Sequence, residues 1–456
     1  MTATAAEVVA QVAARLADPV RVVEQVGAAE NVRGFVALGR PAPWHPVSLG
    51  DGYPAVALLF AELGRADPAH LPTAHRYLGL AAQEVTAAPP GGLFAGPTAL
   101  AFAAATAARR PDEYAGVLAT LDERIAGWVL PRLRAEWERI DAGRAGTVFG
   151  AYDVVSGATG VGRYLLNRTV RTSAAGSGAD TPVRTALTAV LTYLTALTRP
   201  VHDAGATLPG WWVEHPPDRP RAEPDAPGHL NLGLAHGAPG PLALLALAWS
   251  AGIRVPGQDD AIGYLAEWLL DHRRTDTGGP FWPHYLARAD LIGPADGPGD
   301  TDHRHPPSST RAGWCYGTPG VARALQLAGL ALDQPAWTAV AVDAVRAVLA
   351  RPAASLHLPD AGLCHGWAGL LHLTGLIGWD AGDPVLTTAT DRLAAEVLAR
   401  FCPESPFGYR AAMPPLPQPV DLPGFLEGAA GTALALHAYA TGAPPATSWD
   451  AALVVV

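Results

Sequence analysis

The 456-residue chain contains no lysine, three cysteines, two methionines and no long uncharged apolar run. Three cysteines cannot build a disulfide scaffold, and their scarcity points to the reducing cytosol. Without about 18 consecutive apolar residues nothing is predicted to span a membrane. Residues 1–16 are alanine-rich with Glu7 ahead of Arg15, and lack the basic start and apolar block of a signal peptide. Arginine supplies all 32 basic charges against 42 acidic ones, a net charge of −10. That balance argues against a nucleic-acid groove and gives no attraction to anionic lipid. The missing lysine, beside abundant Ala, Gly and Pro, points to GC-rich coding, so the arginine count says little about function. Hydrophobic residues make up 49% of the chain, ample for a large core.

What is present is a short phrase occurring seven times: Gly, two residues, Gly or Ala, then a run of Ala and Leu. Its first glycines are Gly52, Gly96, Gly157, Gly237, Gly317, Gly366 and Gly428. The period is about 63 residues, room for two helices and their connections. The stretches after the phrases (241–249, 321–332, 370–377, 432–439) read as nearly all-apolar helices, with Pro239 and Pro319 at first helical positions that tolerate a missing N–H. Between phrases lie one-faced helices, such as that carrying Leu187, Val190, Leu191, Leu194 and Leu197. Alternating inner and outer helices predict one closed ring of paired helices over residues 1–456, an all-α fold. Every inner helix would start at one rim, with its N–H groups and positive dipole end facing the same mouth.

The residues just before the first glycines are Asp51, Ala95, Ser156, His236, Tyr316, His365 and Glu427. Helix caps would explain Asp51 and Ser156; they explain thiols poorly. Two phrases read Trp314-Cys315-Tyr316-Gly317 and Cys364-His365-Gly366, placing two thiols and an imidazole at equivalent points. Cys315, Cys364 and His365 form a ligand set suited to Zn²⁺, and three protein ligands leave a fourth position open, as in catalytic zinc sites. Adjacent ligands cannot share a helix face, but a turn bending at Gly366 can aim both at one ion. Helix N-termini favour thiolates. Zinc bearing two thiolates is electron-rich, better at holding a third thiolate than at activating water, so the set points to alkylation of a substrate thiol. His236 could shuttle a proton, Asp153 could orient it, and Arg311 could stabilise a developing enolate oxygen. Cys402 lies outside the phrases and reads as an inert thiol.

Segments near 204–229, 273–311 and 403–423 break the helical pattern and read as long loop insertions. The first carries Trp211-Trp212, the second Gly278-Gly279-Pro280-Phe281-Trp282-Pro283 and then His303 and His305. That histidine pair is better read as solvated loop than as a metal pair.

The phrases around Arg311-x-x-Trp314-Cys315-Tyr316-Gly317, Cys364-His365-Gly366, Gly233-Leu234-Ala235-His236-Gly237 and Phe425-Leu426-Glu427-Gly428 resemble the signatures of the lanthionine synthetase C-like family. The resemblance runs over all seven repeats. It implies an α/α toroid of seven inner and seven outer helices. It also implies a zinc-dependent cyclase that adds peptide Cys thiols to dehydroalanine or dehydrobutyrine. One Zn²⁺ would be held by Cys315, Cys364 and His365; His236 and Asp153 would be the acid/base pair; Arg311, Tyr316 and Glu427 would be active-site contacts. The partners implied are a dehydrated precursor peptide with its leader segment and a lanthipeptide dehydratase. The setting implied is cytoplasmic, at the periphery of a membrane-associated biosynthetic complex. Tyr316 after the first Cys resembles the stand-alone class I cyclases, and the length leaves no room for a fused dehydratase or kinase domain. Ala55 and Ala99 replace the second glycine in two repeats, a departure expected to touch helix-start geometry alone. Two other readings fit the same residues: a zinc thiol alkyltransferase of prenyltransferase type, and a non-catalytic zinc or thiol-peptide scaffold.

Overall fold

The computed structural model describes residues 4–37, 43–174, 181–203, 205–215, 228–292, 311–416 and 418–456. His303 and His305 lie outside the described residues. The chain divides into two compact units, one of Met1–Arg124 and Leu358–Ala452, the other of Ile125–His357 and Leu453–Val456.

In the first unit the repeat helices are Tyr53–Ala66, Gly96–Ala107, Trp367–Ala381 and Ala429–Thr441. Tyr53–Ala66 packs between Gly96–Ala107 and Ala429–Thr441, which in turn packs on Trp367–Ala381. Their composition explains the burial. All residues of Gly96–Ala107 are buried, so this helix has no face for water and must sit inside. Each covering helix is one-faced: Leu71–Glu84 covers Tyr53–Ala66, and Pro384–Leu398 covers Trp367–Ala381. The helix covering the last repeat comes from the start of the chain. Ala5–Leu16 packs on Ala429–Thr441 and buries Val8, Val9, Val12 and Leu16, each such side chain contributing about 1.5–3 kcal/mol when fully buried. Its start is set by a capping box between Thr4 and Glu7.

In the second unit the repeat helices Ala158–Ala174, Pro239–Ser250 and Thr318–Ala331 pack in that order. They are covered by Pro182–Ala196, Gln258–Asp271 and Pro335–Ala350. The stripe of Leu187, Val190, Leu191, Leu194 and Leu197 is buried, as its helical spacing predicts.

Backbone hydrogen bonds tie each phrase to its neighbour within a unit. In the first unit Leu49 N donates to Phe94 O, Phe425 N to Gly50 O, and Cys364 N to Leu426 O. In the second, Val154 N donates to Ala235 O and Ala235 N to Cys315 O. These bonds bring the helix starts of each unit together.

Among the described residues, the segments near 204–229 and 273–311 carry buried aromatics and short strands. Trp211 and Trp212 are buried. Three antiparallel strand pairs form in this region: Pro200–Asp203 with Ala206–Pro209, His229–Asn231 with Tyr285–Ala287, and Arg274–Asp276 with Gly279–Phe281. In the 403–423 piece, Ala411, Val420 and Leu422 pack on Phe35, and Asn31 exchanges hydrogen bonds with the Asp421 backbone.

Candidate metal-ligand and acid/base site

In the second unit, Asp153 does two jobs. Its Oδ1 accepts from the backbone N–H of Ser156 and of Gly157, both at 2.7 Å, capping the start of its repeat. Ser156 itself is exposed, so the cap expected from that serine comes from Asp153. The other oxygen, Oδ2, lies 2.5 Å from His236 Nδ1. Asp153 is buried and His236 partly exposed. An ionised carboxylate only accepts, so His236 donates Nδ1–H and keeps Nε2 for proton exchange. Burial pushes the imidazole down, but the hydrogen bond and charge of Asp153, with the charge of Cys315, carry it above the ordinary histidine value. Sequence position alone paired these two residues, and the structure brings them together.

Cys315 is buried at the turn entering Thr318–Ala331. Gly317 makes that turn with φ 122°, and a Cβ there would lie 1.6 Å from the Arg311 carbonyl oxygen; only glycine fits. The next residue, Tyr316, accepts at its hydroxyl from Asn231 Nδ2 at 2.9 Å, while Asn231 Oδ1 accepts from Gly233 N. Burial, then Tyr285, push the Tyr316 phenol well above its usual range, so it stays protonated. His284 lies with its ring centre 5.1 Å from that of Tyr316. Burial and then the Arg311 charge push His284 below the ordinary histidine value, against an opposing pull from Cys315. His284 and Tyr285 escaped the sequence reading because they lie in a segment read as loop, and Asn231 because it stands between such a segment and the His236 phrase. The pairing of His229–Asn231 with Tyr285–Ala287 sets Asn231 opposite Tyr285.

In the first unit, Cys364 and His365 enter Trp367–Ala381. Glu427, at the equivalent place in the last repeat, has its Oε1 3.2 Å from His365 Nδ1. A carboxylate on one ring nitrogen would fix the tautomer and leave Nε2 as the atom that could ligate a metal. Asp360 belongs to the same cluster: ligand atoms of Asp360, His365 and Glu427 lie within 4.8 Å of one another. Asp360 Oδ1 accepts from Gly362 N and Oδ2 from Ala412 N, both at 2.9 Å, which fixes the turn ahead of Cys364. Asp360 stands six residues before Gly366, the offset at which Arg311 precedes Gly317 and Asn231 precedes Gly237. Asp51, expected as a cap, is not one: Gly52 caps that helix without a side chain. The Asp51 Oδ1 is shut from solvent without a hydrogen-bond partner, and burial pushes its carboxyl up to about 7. Cys402 lies beside Glu404, apart from the phrases.

The fold has a solved counterpart. A structure titled "Nisin cyclase" superposes with a TM-score of 0.70 at 20% identity, covering 93% of this chain and 97% of that one. At this identity the likeness is one of fold, and the fold is the all-α, α/α-toroid class that the repeats imply. Residues 43–454 match the family model described as lanthionine synthetase C-like protein, and the chain belongs to that family. Comparison with curated protein sequences finds no match. Among the described residues no helix is long and apolar enough to cross a membrane.

Proposed function

We propose that this protein is a zinc-dependent lanthipeptide cyclase, with Cys315, Cys364 and His365 as ligands to one Zn²⁺. Family membership supports the class of activity. The observation that carries the reading is the Asp153–His236 pair, formed at 2.5 Å with His236 in the phrase next to the one that holds Cys315. A scaffold that merely bound zinc or a thiol peptide would have no use for a buried carboxylate aligning an imidazole. The donor set fits zinc: two thiols at repeat-equivalent positions, and a histidine whose second nitrogen meets Glu427.

Bound there, zinc would lower the pKa of a substrate thiol and hold the thiolate while leaving it nucleophilic. The peptide Sγ attacks Cβ of a dehydroalanine or dehydrobutyrine, and the C=C π pair moves onto the carbonyl as an enolate. His236 Nε2 takes up the thiol proton and returns a proton to Cα, with Asp153 stabilising the charged ring between the two steps. Arg311 and the Tyr316 hydroxyl are the groups proposed to meet the enolate oxygen. One C–S bond forms, one C=C becomes single, and peptide mass is unchanged. The substrate is a dehydrated precursor peptide presented by its leader, with a dehydratase acting before this enzyme.

The test is to incubate dehydrated precursor with enzyme and then alkylate the remaining thiols. Thiols should disappear with zinc-loaded enzyme and persist with zinc-stripped enzyme. Consumption of a prenyl diphosphate onto the thiol would replace this reading with the alkyltransferase one.

A further inference from the structure

The repeat helices of the first unit carry a second polar feature at their far ends. A cavity of about 460 Å³ opens between the C-terminal halves of Trp367–Ala381 and Ala429–Thr441 and the helix Pro384–Leu398. At about 1.5 Å per residue its lining runs from Leu371, about 9 Å along the helix from His365, to Trp379, about 20 Å away, and it includes none of the residues described above. The volume falls in the range of small-ligand sites.

Its chemistry is asymmetric. Leu371 and Leu376 form an apolar floor, and Trp379 and Tyr439 form aromatic walls. Trp379 is 41% exposed although it is the largest residue type. Asp391 is the one acidic side chain lining the cavity, no arginine lines it, and the chain has no lysine. The Tyr439 hydroxyl donates to Asp391 Oδ1 at 2.8 Å, which fixes both groups. His372 also lines the cavity, and its Nε2 lies 2.9 Å from the buried Asp450 carboxylate. Both repeat helices end here at left-handed glycines, Gly382 and Gly442, with no basic residue in the last turn. Their negative dipole ends therefore carry no basic side chain from their own last turn. An apolar floor, aromatic walls, one fixed carboxylate and two helix C-termini suit a cation with an apolar stem and reject an anion.

We propose that this cavity binds an organic cation, an alkylammonium or guanidinium group, supplied by a basic side chain of a peptide or by a free amine. The inference does not depend on the zinc chemistry. Isothermal titration at constant ionic strength tests it with three probes: n-butylammonium chloride, 1-butanol and acetyl-Gly-Lys-Gly-amide. Butylammonium should bind saturably and 1-butanol at least tenfold more weakly. Asp391→Asn and Trp379→Leu should each weaken butylammonium at least tenfold. Both positions are exposed, so these variants should fold, and unchanged thermal unfolding checks that they do. Thr388→Arg, which sets a guanidinium in the cavity wall, should abolish binding as an independent block. If the lysyl peptide binds and displaces butylammonium, the source is a peptide side chain; if only butylammonium binds, the source is a free amine. Absence of saturable binding by either cation would overturn the proposal. So would equal binding of 1-butanol, or binding unchanged in all three variants.

Discussion

Asp153 is a single residue serving two needs, with one oxygen closing the start of a helix and the other holding His236. The two roles separate by mutation. His236→Ala should keep zinc and lose about 10²–10⁴-fold in cyclisation rate, the usual weight of general acid/base catalysis, read by thiol trapping. Asp153→Asn should lower the His236 pKa, measured by NMR titration of the imidazole, because the hydrogen bond and charge that raise it are removed. The sign for stability follows. A histidine raised in the folded state contributes stability below its unfolded value, lost as pH rises through the folded value. Asp153→Asn should therefore remove a stabilisation present at pH 5 and absent at pH 9. Asp51 gives the same sign of pH dependence through burial rather than through a partner. Its carboxyl is raised from 3.8 to about 7, so the folded state holds a proton that the unfolded state has released, and stability falls as pH rises from about 4 to 7. Asp51→Asn should stabilise the protein at pH 8 by about 1–3 kcal/mol and leave it little changed at pH 4, by thermal unfolding. A destabilised variant at pH 8 would show that the Asp51 charge is needed. His236, Asp153 and Glu427 were legible in the sequence because each stands at a fixed offset from a repeated glycine. Asn231 and Asp360 stand six residues before Gly237 and Gly366, as Arg311 stands before Gly317, but the residue type at that offset varies and only the fold shows what each one holds; His284 has no such offset.

At the level of the element, the repeat phrase is a packing device. The second glycine of a phrase lies against the carbonyl six residues earlier: a Cβ would be 2.4 Å from Trp314 O at Gly320, 2.0 Å from Leu363 O at Gly369 and 1.7 Å from Phe425 O at Gly431. Each helix start is thus folded back tightly on its own loop. Gly317→Ala should be the most costly such change, since it adds a left-handed φ to a clash with fixed backbone; a loss of about 2–4 kcal/mol is expected. Gly79 offers the contrast. It is inside the helix Leu71–Glu84, and a Cβ there meets nothing within 4 Å. Gly79→Ala should stabilise by about 0.5–1 kcal/mol. Chemical denaturation of the two variants side by side checks both signs. The inner helices were readable because their apolar runs have no polar face to turn to water. The short strands were not, since three- and four-residue pairs among prolines and glycines carry too little alternation to separate from loop.

For the whole molecule, the question is what the metal contributes. The repeat helices of each unit bury apolar residues along nearly their full length, so the double variant Cys315→Ala/Cys364→Ala should keep its far-UV helical signal while losing zinc. Wild type should bind about one Zn²⁺ per chain; full occupancy in the double variant would remove the ligand assignment. The sequence by itself determined the seven-fold repeat, the alternation of all-apolar and one-faced helices, and the chemical class of the residues at the helix starts. These are properties of spacing and side-chain type, written locally along the chain. Tertiary structure decided what spacing cannot encode: that Asp153 rather than Ser156 caps its helix, that Ala5–Leu16 covers the last repeat, and that a segment read as loop delivers His284 and Tyr285, with Asn231 opposite, to Tyr316. The first is a local choice of which side chain meets the helix-start N–H groups, and the others are contacts between residues far apart in sequence, chosen by which buried polar group found a partner and which apolar face found cover.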